Sequence, residues 1–158
     1  MNYKIGFIGA GNIAGAIITG ILENGDYSRN DIFIYDIDSV KCEKYKKEGF
    51  NIVKSEAEVV KQVNVVFLTI KPSDLKTVLE RISPVVTLDN VLVSVVAGIS
   101  ISFIKKIIGK ECKVVRAMPN TPLLIGNGAT AIAYEMPITY TELSCVKNIF
   151  ETAGVVEV

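Results

Sequence analysis

The residues of this chain best suited to chemistry are the small ones at Gly9, Ala10, Gly11, Asn12, Ile13 and Ala14. They form a Gly-x-Gly-x-x-Ala pattern directly after an apolar run. Between a strand and a helix each small residue has a job. The first glycine makes a tight turn, the second lets backbone approach a pyrophosphate, and the alanine lets helix and strand pack closely. The phosphates then lie at a helix amino terminus, among backbone N–H groups that have no partner inside the helix. Alone, the pattern is also that of a flexible glycine loop. A strand before it, a helix after it and a repeated strand-helix order point to a dinucleotide site.

That site calls for an acidic side chain at the end of the second strand, roughly 20 residues on, to accept hydrogen bonds from the adenosine ribose. Asp36 lies somewhat further along, at the corresponding structural place. Its competing role is that of a solvated turn aspartate, and Asp38 fits that role or the cap of the next helix. A carboxylate at position 36 repels a 2′-phosphate by on the order of a few kcal/mol before screening. Each 1.4 kcal/mol is about tenfold in affinity. With no arginine near this turn in the sequence, NADH is favoured over NADPH.

The composition narrows the chemistry further. Histidine is absent, which removes the commonest general acid or base and the commonest metal ligand. Hydride transfer suits such a chain, because the cofactor carries the reactive atom and the protein positions it. No metal site is expected. Cys42, Cys112 and Cys145 are odd in number and lack metal-binding spacing, so they read as buried thiols in a reducing cytoplasm. Seventeen basic and seventeen acidic residues cancel, with no basic block longer than two residues, so no nucleic-acid partner is expected. The amino terminus has neither a basic leader nor a long apolar stretch, so no membrane partner is expected either.

The elements that must position these residues follow from periodicity. Strands are expected over residues 3–8, 31–35, 51–53, 64–70, 91–96 and 113–117, and helices over 13–22, 39–48, 55–62, 73–82 and 102–108. The nearly continuous apolar run at 64–70 is that of a parallel strand covered on both faces. Lys71-Pro72 ends it and opens a helix. The tail reads as a strand at 128–134, a helix at 139–152 opened by the capping pair Thr139 and Glu142, and a last strand at 154–158. Alternating strands and helices give an α/β fold, a doubly wound, mostly parallel sheet of the Rossmann type. With no linker, charge run or repeat, residues 1–158 read as one domain.

Four segments identify a family. The chain resembles pyrroline-5-carboxylate reductases at residues 6–12 (GFIGAGN), 67–72 (FLTIKP), 94–99 (SVVAGI), and above all 116–122 (RAMPNTP) followed by 126–131 (GNGATA). The resemblance covers essentially the whole chain. It implies reduction of the cyclic imine 1-pyrroline-5-carboxylate to proline with NAD(P)H. An imine protonates more readily than a ketone, so the absence of histidine is no obstacle. By resemblance, Gly9, Gly11, Asn12 and Ile13 hold the phosphates and Asp36 the adenosine ribose. Ile70, Lys71 and Pro72 line the path toward the nicotinamide, and Ala97, Gly98, Met118, Pro119 and Asn120 flank its ring, with Thr121 close by. Lys71 reads equally as a solvated charge, Met118 as packing, and the Pro119–Pro122 stretch as a rigid loop.

The family implies a second domain as well. Its members continue into a helical domain that pairs two subunits and binds the substrate carboxylate, so a homo-oligomer is implied for the longer form. The chain is expected to lack that domain and, alone, to be inactive. Many members that accept NADPH have a neutral residue followed by a basic one where this chain has Asp36. Two other readings stay open: a non-catalytic dinucleotide-binding or regulatory protein, and a related dehydrogenase acting on another imine or on hydroxy acids.

Overall fold

A computed structural model describes residues 3–158. Eight strands form one sheet in the order β3-β2-β1-β4-β5-β6-β7-β8. The first five from the β3 edge are β3 (Asn51–Ile52), β2 (Ile32–Tyr35), β1 (Ile5–Ile8), β4 (Val65–Leu68) and β5 (Val91–Ser94), all mutually parallel. Next comes β6 (Lys113–Pro119), parallel to β5, and then β7 (Gly128–Tyr134), which runs antiparallel to β6, with β8 (Gly154–Glu157) parallel to β7. Only a short 3-10 turn, Thr121–Ile125, separates β6 from β7. That is too little chain for a crossover, so the pair must run antiparallel.

Successive side chains of the central strands enter opposite cores. Ile5, Phe7, Val65, Phe67, Val91 and Val93 face α1 (Asn12–Asn24), α2 (Ser39–Lys47) and α6 (Tyr140–Glu151). Ile8, Val66, Leu68 and Leu92 face α3 (Glu56–Gln62), α4 (Pro72–Ile82) and α5 (Ile101–Ile108). Phe7 stacks on Phe67 with ring centroids 5.0 Å apart, and Phe150 of α6 meets Phe67 edge-on at 5.7 Å, fixing α6 over the strand pair that carries the glycine turn.

Several elements end earlier or later than periodicity places them. β4 stops at Leu68, because the next residue, Thr69, turns its hydroxyl onto the first strand's end. β5 stops at Ser94 and β1 begins only at Ile5. In the other direction β6 runs on through Met118 and Pro119, pairing with Ala131 and Thr130 of β7. Its β5 neighbour ends opposite Arg116, so proline stands where one side is already unpaired, as strands tolerate it. What reads as a rigid loop is thus a strand end followed by the 3-10 turn. Thr139 and Glu142 form the expected capping box of α6.

Candidate functional site

The strand order reverses at β1, which lies between β2 and β4. Open α/β sheets bind ligands at the carboxyl ends of strands flanking such a point, and the glycine turn is there. Gly9 adopts φ +101°, and a side chain on it would collide with the Thr69 carbonyl. Gly9 is therefore required by close packing against the end of β4. Gly11 differs: a Cβ there would meet nothing within 4 Å. Its missing side chain leaves space open in front of α1. Gly11 caps that helix without any side-chain hydrogen bond, and no acidic residue occupies the first turn. The N–H groups of this terminus are thus offered outward, where anions are favoured. Ala14 is fully buried in the core, so close packing of α1 rests on its small size.

The turn is tied on both sides. Toward β2, the Gly9 N–H donates to the Tyr35 carbonyl at 2.8 Å, and the Ala10 N–H donates to Asp36 Oδ2 at 2.8 Å. The other carboxylate oxygen, Oδ1, accepts from the Asp38 N–H at 2.8 Å. Asp38 in turn caps α2 by accepting from the Val40 N–H. Toward β4, the Thr69 hydroxyl lies 2.7 Å from the Gly9 carbonyl and 3.2 Å from that of Ile8. Its single proton serves the nearer.

Two cavities flank the turn. One, of about 530 Å³, is lined by Gly9, Gly11, Asp36, Ile37, Ile70 and Lys71 together with Tyr35, Glu56 and Arg81. The other, of about 1040 Å³, runs along α1 past Gly11 and Asn12 to Leu124 and Ile125 of the 3-10 turn. Gly11 and Lys41 border both. Ile13, Pro72, Ala97, Gly98, Met118, Pro119 and Asn120 line neither. Of these, Ala97, Gly98 and Met118 are exposed just past β5 and at the end of β6. Asn120 fastens the β6 to β7 turn by accepting from the Ala129 N–H at 2.8 Å. Thr121 begins the 3-10 turn, exposed. Lys71 caps α4 by position, with Pro72 as its first residue.

Three contributors lie outside the site residues read from the sequence. Thr69 is a hydroxyl residue in an otherwise apolar run, the one signal that could have found it. Lys41, in the first turn of α2, borders both cavities. Arg81, from α4, reaches the Asp36 cavity although no arginine is near the turn in sequence, and it is bound to the nearly buried Glu56 at 3.0 Å. Burial, and then the Glu56 carboxylate, push the Tyr35 phenol above its ordinary range. Among the described residues no group of three or more metal-binding side chains is assembled. Cys112 is buried, whereas Cys42 and Cys145 are only partly so, and all three are free thiols.

Residues 4–98 match the model of the family described as NADP oxidoreductase, coenzyme F420-dependent. The chain belongs to that family. It is 33% identical to pyrroline-5-carboxylate reductase of Escherichia coli (strain K12) over 159 aligned positions, which cover all of this chain and 59% of that protein. The solved pyrroline-5-carboxylate reductase of Coxiella burnetii superimposes with a TM-score of 0.93 at 28% identity, covering 99% of this chain and 58% of the other. The Plasmodium falciparum pyrroline carboxylate reductase, solved with NADP bound, gives 0.86 at 26% identity, covering 99% and 57%. The resemblance carried by the motifs is thus shared by sequence and structure. This family member spans somewhat under three fifths of the length of those relatives. No helix among its described residues is long and apolar enough to cross a membrane.

Proposed function

We propose that this chain is the nicotinamide-dinucleotide-binding part, one domain over residues 1–158, of a cytoplasmic reductase that converts 1-pyrroline-5-carboxylate to proline. The observation that carries the reading is the open space before Gly11, at an uncapped helix terminus beside the strand-order switch. A pyrophosphate needs that combination. The likeness to pyrroline-5-carboxylate reductases, one of them solved with NADP, supports the choice of cofactor and substrate.

In this reading Gly9, Gly11, Asn12 and Ile13 hold the phosphates at the α1 terminus. Asp36 faces the adenosine ribose, its carboxylate retaining about two free acceptor sites beyond the two N–H groups it already binds. Ile70, Lys71 and Pro72 border the path toward the nicotinamide. Ala97, Gly98, Met118, Pro119 and Asn120 flank the ring, with Thr121 beside them. When bound, the reduced nicotinamide supplies the hydride. The residues of this chain bind, orient and hold the ring face, and orientation of that kind can be worth ~7 to 11 kcal/mol. The substrate carboxylate is held in the longer form, which pairs as a homo-oligomer.

NADH is preferred to NADPH, because Asp36 and the nearly buried Glu56 both border the adenosine cavity while Arg81 is already engaged by Glu56. Calorimetric titration with both cofactors tests the preference: tighter NADH is expected, and equal affinities contradict it. Loss of NADH absorbance with 1-pyrroline-5-carboxylate tests the reaction. The 158-residue polypeptide is expected to bind dinucleotide but to turn over far more slowly than a form of its relatives' length. Rates within tenfold of each other would show that these residues hold a whole active site.

A further inference from the structure

The Asp36 carboxylate has a second task that a ribose ligand does not require. Ala10 lies between the two glycines of the turn and is only 6% exposed. Its N–H has Asp36 Oδ2, at 2.8 Å, as its acceptor. The same carboxylate accepts from Asp38 N–H at the start of α2, and the neighbouring Tyr35 carbonyl accepts from Gly9 N–H. The end of β2 thus grips two successive N–H groups of the glycine turn. Hydrogen bonds to a charged acceptor are stronger than neutral ones, and a largely buried N–H left without an acceptor is costly.

We infer that Asp36 is a positioning residue for the pyrophosphate turn, so the position that separates NADH from NADPH also sets how well either one's phosphates are held. This rests on the dinucleotide reading above and deepens it. Two effects then oppose each other when the carboxylate is removed. Loss of a negative charge near the phosphates strengthens anion binding, whereas loss of the Ala10 acceptor lets the turn drift. Asp36→Asn removes the charge but keeps one acceptor oxygen for the Ala10 N–H, its amide nitrogen taking the other position and leaving the exposed Asp38 N–H to water. Asp36→Ala removes both, leaving the exposed Asp38 N–H to water but the Ala10 N–H with nothing. A change of cofactor preference by small residues at position 36 therefore sacrifices affinity for both cofactors.

The test uses two probes, ADP and 2′,3′-dideoxyadenosine 5′-diphosphate, which keeps the pyrophosphate and lacks the ribose hydroxyls. Titrated into the unsubstituted chain, Asp36→Asn and Asp36→Ala, the dideoxy probe is expected to bind Asp36→Ala about tenfold more weakly than Asp36→Asn. Asp36→Asn is expected to hold it at least as well as the unsubstituted chain. Equal binding of the dideoxy probe by the two variants would overturn the inference, since a ribose ligand alone cannot affect a probe without ribose hydroxyls. Amide hydrogen exchange of Ala10 in the unsubstituted chain reads the clamp without any ligand or variant. Strong protection is expected, and exchange as fast as at exposed loop amides would overturn it. If neither ADP nor NADH binds the unsubstituted chain, the dinucleotide reading fails, and the Ala10 exchange still decides the clamp.

Discussion

At the scale of single residues, the glycine turn is held by atoms from outside itself. Thr69, just past β4, grips the Gly9 carbonyl as Asp36, just past β2, grips the Ala10 N–H. Thr69→Val keeps shape and removes the hydroxyl. It is expected to lower stability by about 1 kcal/mol and to weaken NADH binding several-fold, measured by chemical denaturation and calorimetry. Unchanged values for both would show that the hydroxyl holds nothing. Gly9→Ala is expected to be far more damaging, because its Cβ meets the Thr69 backbone just past β4 and its φ is left-handed. A loss of more than about 2 kcal/mol is expected, and a melting temperature equal to that of the unsubstituted chain would contradict it. Asp36 itself was legible as the acidic residue after β2, but not as a clamp, since the bond to Ala10 spans 26 positions in sequence.

At the scale of elements, α6 is joined to β6 by one ion pair. Lys113 Nζ lies 2.7 Å from Glu142 Oε1, with both side chains largely buried, while Glu142 Oε2 accepts from the Thr139 N–H and hydroxyl. Burial alone would raise the Glu142 carboxyl. The Lys113 ammonium and the Thr139 hydrogen bonds outweigh it and hold the carboxyl below the usual carboxylate range. A depressed carboxylate contributes stability above its unfolded value, near 4.3. That contribution disappears as pH falls through the folded value. Glu142→Gln is expected to cost on the order of 3 kcal/mol at pH 7, with the difference from the unsubstituted chain shrinking below pH 4 in denaturant melts. A pH-independent difference would contradict the assignment. The α6 cap was legible because a capping box is local, four residues read in a row. The extension of β6 through Met118 and Pro119 was not, because it depends on β7 lying alongside, and Arg81 meets Glu56 only once α4 packs beside α3.

At the scale of the whole molecule, the parallel order of β1 to β6 was legible from alternating strands and helices. The antiparallel β7 followed from a connection too short to cross over, which element lengths alone did not reveal. The sheet brings the ends of β1, β2 and β4 together, and in the proposed function a dinucleotide pyrophosphate occupies the α1 terminus at that junction. Gly11→Ala tests it most directly, because the added methyl meets no protein atom within 4 Å and intrudes only on the proposed pyrophosphate. The measurement is calorimetric titration of NADH into the unsubstituted chain and this variant, with thermal melts of both. Stability within about 1 kcal/mol and NADH affinity reduced at least tenfold are expected. Equal NADH affinity at equal stability would contradict it.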